Sequence, residues 1–495
     1  MYLTQQLHRR TQRAPAAPLS IFEGRITSNA ETLDAVARIA GRLRGLGAER
    51  DDRVAILAPS SDRFFQTLLA VAWADAIVVP INLRWAVPEV IFALRDSGAK
   101  VLVVGGPWRE HVDEFRAAIR DLVIVDIDDH MLAAADPIAD AERRGDDTLG
   151  IFYTGGTTGR SKGVELTHRN VMTSALSTAL VTRTEAGAAG LLVMPAFHIG
   201  GIASWVNDLL MDCVTVFLDG FDAAEVLRII EEHRIRHMAL VPTMVHAMLE
   251  HPDRAHRDVT SLESIVYGAA PISSMLLARI EEGFPNAKLY QTFGMTELSP
   301  VASILTDVDH QHDELRRSVG RALPHVLIRV VDDQGEEVPR GNIGEIVVSG
   351  DNVMKGYWNL PEVTAQTKRN GWLYTGDAGQ MTEDGYLYIA DRLKDMIISG
   401  GENVYSLEVE EVISGHPAVV ACAVIGVPDE RWGERVHAVV ELVAGESLTL
   451  DELRAYAKER LAGFKCPRSM EVIDQWPVSA VGKILKRELR DRVSG

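Results

Sequence analysis

The clearest chemistry in this chain lies in the run Tyr153-Thr-Gly-Gly-Thr-Thr-Gly-Arg-Ser-Lys-Gly163, directly after the apolar residues 150–152. Its glycines (Gly155, Gly156, Gly159) let the backbone curl and turn N–H groups toward an anion. Thr154, Thr157 and Thr158 add hydroxyl donors, and Lys162 adds a mobile positive charge. Together these suit a polyphosphate. The competing reading is a flexible Gly/Thr surface loop. The spacing fits neither G-x-x-x-x-G-K-[ST] nor G-x-G-x-x-G, so a P-loop NTPase and a dinucleotide-binding dehydrogenase both lose ground.

Two carboxylates stand in settings that could do related work. Glu297, in Tyr290-Gln-Thr-Phe-Gly-Met-Thr-Glu297, is a hard oxygen donor of the kind Mg²⁺ takes. Asp377 follows a Gly turn, where it could accept both hydroxyls of a ribose. The small residues Gly268, Ala269 and Ala270 would let a flat ring lie close to backbone. The three cysteines, Cys213, Cys422 and Cys466, are scattered, so neither a metal ribbon nor a disulfide framework is expected, and a reducing compartment fits. His233 and His237 have i,i+4 spacing but lack a third ligand, and they read as surface histidines.

Such groups need a scaffold. At 495 residues the chain is too long for one core. With 46% hydrophobic and 24% charged residues it has an ordinary globular composition. A net charge of −19 argues against nucleic acid as a partner, because phosphate-backbone binding needs a positive surface. The N-terminus lacks a long apolar stretch, and the longest apolar region, 68–81, is interrupted by Asp75 and Pro80, so no transmembrane segment is expected. The cytoplasm is the default location, and a homodimer is left open.

Short apolar runs at 53–57, 76–81, 100–105, 122–127, 150–153, 190–194, 214–218, 237–241 and 264–267 predict strands, alternating with helices such as 32–46 and 223–234. The pattern is that of an α/β protein with largely parallel sheets. After about residue 318 it changes: 326–331 and 344–348 predict antiparallel strands around an Asp-Asp-Gln-Gly turn, and 374–389 is turn-rich and strand-like. Beyond the charged run DRLKD at 391–395 comes a smaller α/β unit: helices at 406–414 and 450–461, strands at 419–427, 436–442 and 471–473, and a basic helix from about 484.

In sequence order, these motifs resemble those of the adenylate-forming superfamily, which includes acyl-CoA synthetases, peptide-synthetase adenylation domains and luciferases. The loop at 153–163 is similar to Y-T-S-G-T-T-G-x-P-K-G, with Gly155 in place of Ser and Ser161 in place of Pro. These departures imply altered nucleotide affinity. Pro195-Ala-Phe-His-Ile-Gly-Gly201 resembles the segment that closes the acid pocket, 267–271 the segment bordering adenine, and 290–297 the Y-G-x-T-E motif with Phe293 in the Tyr position. Tyr374-Thr-Gly-Asp377 and 391–395 resemble the ribose contact and the hinge. Met396-Ile-Ile-Ser-Gly-Gly-Glu-Asn-Val-Tyr405 resembles the pantetheine channel, and Pro477-Val-Ser-Ala-Val-Gly-Lys483 the catalytic-lysine loop.

The resemblance implies a large N-terminal domain, residues 1–393, of two mixed sheets with flanking helices and a small β-barrel-like subdomain, then a small mobile α/β domain, residues 394–495. It implies an AMP-forming acid–CoA ligase of the fatty-acyl or 4-coumarate/feruloyl branch, using ATP, Mg²⁺ and coenzyme A. The implied catalytic residues are Lys483, Thr296 and His198. Nucleotide contacts would come from residues 154–159, Lys162, Gly268, Ala269, Ala270, Gln291, Thr292, Phe293, Gly294, Met295, Asp377 and Arg392. The metal would lie at Thr154 and Glu297, the acyl pocket at His198, Gly200, Trp205, Gly268 and Phe293, the CoA channel at Ser399, Gly400 and Gly401, and the pivot at Lys394. The acid would be a medium or long fatty acid or a cinnamate-type aryl acid. The alternatives are loading of a carrier-protein phosphopantetheine, a luciferase-type oxygenase and a catalytically silent relative.

Overall fold

The computed structural model describes residues 1–130, 134–154, 161–270, 272, 274–479 and 484–494. Among these, four sheets carry the chain: one of nine strands, one of seven and two of five. In the nine-stranded sheet, Ala189–Leu192, Val214–Phe217, His237–Leu240, Ser264–Gly268 and Lys288–Gly294 run parallel. In the seven-stranded sheet, Arg53–Leu57, Ile77–Pro80, Ala99–Val104, Val123–Asp126 and Thr148–Thr154 run parallel, and Lys162–Thr167 returns antiparallel. The strand–helix alternation expected from the sequence is therefore the architecture of the large unit, a mixed α/β fold.

The helix Asp62–Trp73 shows why the two large sheets stay together. Ten of its twelve residues are buried, so it is apolar nearly all round, as a helix enclosed on every side must be. Phe64, Phe65, Leu68 and Leu69 join one core cluster with Val54, Ile56 and Val78 of the seven-stranded sheet and Leu192, Phe217 and Ile304 of the nine-stranded one. Helix starts are marked by reciprocal caps: Ser28 with Glu31, Thr167 with Asn170, and Thr449 with Glu452.

The third sheet is antiparallel and barrel-like. Val326–Val331 pairs in unbroken register with Gly344–Gly350, from Val326↔Gly350 to Val331↔Glu345. The Asp-Asp-Gln-Gly turn does not join these strands directly. It folds Glu337 back beside Val331, where Val338 N–H donates to the Val330 carbonyl, before the chain crosses to 344. The last sheet comprises Ile397–Ser399, Glu402–Val404, Val419–Asp429, Gly433–Leu442 and Ser469–Val472. It has its own core, including Ile397, Val409, Ile413, Val424, Val436 and Val440. No described helix is long and apolar enough to cross a membrane.

The paired histidines behave differently from the surface reading. His233 ends the helix Ala223–His233, whereas His237 opens the next strand, so they share no helix face. His237 is largely buried, and its Nε2 lies 2.7 Å from Asp208 Oδ1. Asp208 also accepts the Thr215 hydroxyl, and the Cys213 thiol close by is pushed up to about 12 by burial. This is a satisfied polar network. Burial alone would lower the His237 pKa, but the Asp208 carboxylate outweighs it and the pKa is raised. A raised folded-state pKa gives stability that is complete below the unfolded value near about 6.5 and is lost as pH rises through the folded value. Asp208→Asn should therefore destabilise the fold by about 2 kcal/mol at pH 6 and by less at pH 9. Urea melts of both proteins at the two pH values measure this.

Candidate active site

The residues flanking the polyphosphate run are the facing ends of a β-hairpin. Thr148–Thr154 and Lys162–Thr167 pair antiparallel up to Thr154↔Lys162, so those two residues face each other at its mouth. Residues 155–160, which hold Gly155, Gly156, Thr157, Thr158 and Gly159, lie outside the described residues. Below the mouth Tyr153 is held by its hydroxyl, which donates to Asp96 Oδ2 at 2.6 Å, and by edge contacts from Trp85 and Phe92.

A second element meets this hairpin from the side. The short strand Gly356–Tyr357 pairs with Lys162–Thr167, Tyr357 opposite Val164. Lys162 Nζ stands 4.2 Å from the centre of the Tyr357 ring. The Tyr357 hydroxyl donates to Glu297 Oε1 at 2.8 Å. One buried tyrosine thus touches both the loop cation and the carboxylate singled out as a metal ligand. Sequence reasoning missed Tyr357, because a Gly-Tyr-Trp run after a loop reads as core.

Glu297 is 5% exposed and sits in the turn Thr296–Leu298 after the strand Lys288–Gly294. The backbone around it is fixed from both sides. Met354 N–H donates to the Glu297 carbonyl at 2.8 Å, and the Asn352 side-chain amide donates to the carbonyls of Leu298 and Val301. A Cβ on Gly294 would lie 1.9 Å from the Pro300 carbonyl oxygen, so only glycine fits there. The buried Glu297 carboxylate is a hard oxygen donor that fits Mg²⁺, which takes one or two carboxylates and completes its shell from substrate phosphates and water.

The segments expected to border adenine lie at the carboxyl ends of neighbouring parallel strands, where open α/β sheets place their ligands. Gly268 pairs with Thr292, and Tyr267 with Gln291. A Cβ on Gly268 would fall 2.3 Å from Thr292 Oγ1 and 2.6 Å from its carbonyl oxygen. The next residue, Ala269, is exposed and left-handed at φ 66°. Ala270 and Thr292, with Phe293, Gly294 and Met295, are half-buried around this sheet end, while Gln291 and Thr296 are buried.

His198 caps the helix Ile199–Leu210. Its Nδ1 accepts the Gly200 N–H at 3.1 Å, and burial holds its pKa down to about 4. The ring is therefore neutral at pH 7, with its proton on Nε2. Trp205 differs from expectation. It is 1% exposed and packs on Phe65 with ring centres 4.6 Å apart, so its ring belongs to the inter-sheet core. Gly200, Ala203, Ser204 and Asn207 form the less buried face of that helix, and Trp205 points away from it.

Asp377 and Arg392 pair across adjacent strands, and Arg392 Nε meets Asp377 Oδ1 at 2.6 Å. Each of these two expected ribose contacts is thus a neighbour of the other. Next in the chain, Asp391 is buried and accepts the N–H groups of Arg392 and Ser406. Lys394 is exposed between the strands Leu387–Arg392 and Ile397–Ser399. Ser399 is buried. Gly400 and Gly401, at φ 64° and 86°, form the two-residue turn of the hairpin Ile397–Ser399/Glu402–Val404. Positive φ at both positions is the type I′ requirement, which accounts for the glycine pair.

Lys483 lies outside the described residues, but its flanks are placed. Val478 bridges to Ile484, and Leu485 N–H donates to the Pro477 carbonyl. Directly after it, Lys486 Nζ meets Glu410 Oε1 and Ser406 Oγ, each at 2.6 Å. Arg84 of the large unit donates to the Ser479 carbonyl at 3.3 Å, and Arg317 pairs with Glu411 at 2.6 Å. No cysteine is poised for attack: burial pushes Cys422 as well as Cys213 up to about 12, and it raises Cys466.

A mixed α/β fold of large sheets followed by a smaller C-terminal unit is the architecture of adenylating enzymes. The chain belongs to the AMP-binding enzyme family, whose model matches residues 7–358, with the family's C-terminal domain matching 408–483. It is 40% identical over 489 residues to a feruloyl-CoA synthase of Amycolatopsis sp, covering 98% of this chain and 97% of that one. It is 35% identical over 507 residues to a fatty acid–acyl-carrier-protein ligase of Streptomyces coeruleorubidus, covering 100% and 96%. Among solved structures, the o-succinylbenzoate CoA synthetase of Bacillus subtilis, in complex with its acyl-adenylate intermediate, superposes with a TM-score of 0.89 at 32% identity and 98% coverage of both chains.

Because Gly268 abuts Thr292, Gly268→Ala should force two parallel strands apart at their carboxyl ends and destabilise the protein by about 2 kcal/mol. A matching drop in ATP affinity, read by isothermal titration below the melting transition, would show that the strand spacing sets the binding surface.

Proposed function

We propose that this protein is an AMP-forming acid–CoA ligase that converts a carboxylic acid, ATP and CoA into acyl-CoA, AMP and pyrophosphate through an acyl-adenylate. The observation that carries this reading is the Lys162–Tyr357–Glu297 contact chain, which joins the polyphosphate hairpin to a buried carboxylate. The family and its CoA-ligase relatives supply the class of reaction.

A carboxylate is a poor acyl donor because its leaving group would be oxide, and adenylation replaces that with AMP. In the first step a carboxylate oxygen attacks the α-phosphorus of ATP and pyrophosphate leaves in line. Positioning and charge neutralisation do most of the work in such a transfer. The 154–159 backbone and Lys162 would hold the β- and γ-phosphates, and the Thr296 hydroxyl the α-phosphate. Asp377 and Arg392 would share the ribose, opening their mutual ion pair to do so. Mg²⁺, held by Glu297 and Thr154, would neutralise phosphate charge. Lys483 would bridge the carboxylate and the α-phosphate. His198, neutral and with Nε2–H as a donor, suits closure of an acid pocket bordered by Gly200, Gly268 and Phe293.

In the second step the CoA thiol attacks the acyl carbonyl carbon and AMP departs. The high thiol pKa values of the chain's own cysteines agree with an external thiol as nucleophile. The unit from 394 onward would turn about Lys394, withdrawing Lys483 and presenting Ser399, Gly400 and Gly401 to the pantetheine arm. The acid is a cinnamate-type aryl acid or a medium or long fatty acid, in line with what the relatives' names state. The carrier-protein ligase relative favours a second acceptor reading, which a holo-carrier protein offered in place of CoA would test.

ATP–pyrophosphate exchange tests the proposal. Exchange should require one of these acids and proceed without CoA, and exchange indifferent to every acid of the panel would refute it. Lys483→Ala should lower exchange by about 100-fold or more, yet leave thioester formation from supplied acyl-adenylate largely intact. Equal losses in both half-reactions would contradict the role given to Lys483.

A further inference from the structure

We propose that Tyr357 is a positioning residue for the metal–triphosphate end of the nucleotide, orienting Glu297 through its hydroxyl and Lys162 through its ring face. This rests on the adenylating function proposed above.

The side chain is 6% exposed and held along its length. Its backbone N–H donates to Thr364 Oγ1 at 2.9 Å, and its strand pairs with Val164. The hydroxyl reaches Glu297 Oε1 at 2.8 Å, while the ring face receives Lys162 Nζ at 4.2 Å. A hydroxyl donating to one carboxylate oxygen fixes the rotation of the group and so the direction of its remaining lone pairs. Hydrogen bonds to an ionised acceptor are the stronger kind. An ammonium over a partly desolvated aromatic face is held there electrostatically. The strand pairing of 356–357 with 164–165 fixes Tyr357 beside the strand that carries Lys162, and the Met354 N–H bond to the Glu297 carbonyl fixes it beside Glu297. Tyr357 is thus one rigid side chain between the proposed metal ligand and the loop cation, with separable parts: the hydroxyl acts on the metal side, and the ring acts on the lysine.

Two substitutions separate these parts. Tyr357→Phe keeps the ring and removes the hydroxyl, and Tyr357→Leu removes both. ATP affinity is measured by isothermal titration for wild type and both variants, once with saturating Mg²⁺ and once in EDTA. The Phe variant should lose about tenfold in affinity for Mg·ATP and nothing for metal-free ATP. The Leu variant should lose affinity in both conditions. The Mg²⁺ midpoint of pyrophosphate exchange should rise in the Phe variant. Wild-type Mg·ATP affinity in the Phe variant, or equal losses with and without metal, would overturn the assignment. A wild-type enzyme that binds no ATP would instead reject the adenylating function itself, so the two failures are distinguishable.

Discussion

The hydrogen bond from Met354 N–H to the Glu297 carbonyl is one of a set that fastens residues 350–357 to the turn after Gly294. Ser299 Oγ donates to the Asn352 carbonyl, Asn352 donates to Leu298 and Val301, and Tyr357 donates to Glu297. The far end of the same segment adds a strand to the seven-stranded sheet, beside Lys162–Thr167. Asn170, at the start of the following helix, donates to the carbonyls of Asp351 and Val353. One strap therefore bolts the end of the nine-stranded sheet to the polyphosphate hairpin of the other. Apolar packing between the sheets brings them together without direction. These buried polar bonds set the register, because an error would leave several of their groups unpaired.

The smaller unit solves a different problem. The two proposed steps occur at different atoms, the α-phosphorus and then the acyl carbon, and the chain carries the flanks of the lysine loop and the glycine turn on the same small sheet domain. Lys486, pinned to Glu410 and Ser406, ties the base of the lysine loop to the helix that follows the glycine hairpin. Arg490 pairs with Asp395 at 2.8 Å, tying the last helix to the hinge run. Burial raises the Glu410 pKa while Lys486 opposes it, as expected for an ion pair kept away from water. Among the described residues, polar contacts tie this unit back to the large one: Arg84 to Ser479, Arg317 to Glu411, and the buried Asp391, which accepts the Ser406 N–H. The two exposed contacts among these break at low cost, which suits the proposed turn of this unit between steps.

Much of this was legible in the sequence. The strands at 53–57 and 326–331 and the helix at 406–414 fall where apolar periodicity placed them, because local pattern dictates them. Glu297 and Lys162 were legible as chemistry from residue type and glycine-rich surroundings. Tyr357 was not, since both its partners are far away in sequence and only the strap brings them together. Trp205, placed by the resemblance at the acyl pocket, is turned by helical rotation onto Phe65 in the inter-sheet core, a placement set by contacts distant in sequence. His237 looked like a surface residue because its carboxylate partner, Asp208, lies 29 positions earlier. The glycines at 400 and 401 are accounted for by a type I′ turn, a local rule that holds whatever passes beside them.

The central claim is that the acid is activated as a mixed anhydride with AMP. Turnover with a carboxylic acid carrying ¹⁸O in both oxygens tests it most directly. Attack of a carboxylate oxygen on the α-phosphorus, followed by thiol attack on the carbonyl carbon, leaves one ¹⁸O in AMP and one in the acyl-CoA, with pyrophosphate unlabelled. Mass spectrometry of the products reads this outcome. Label in inorganic phosphate, formation of ADP, or AMP free of ¹⁸O would contradict the account.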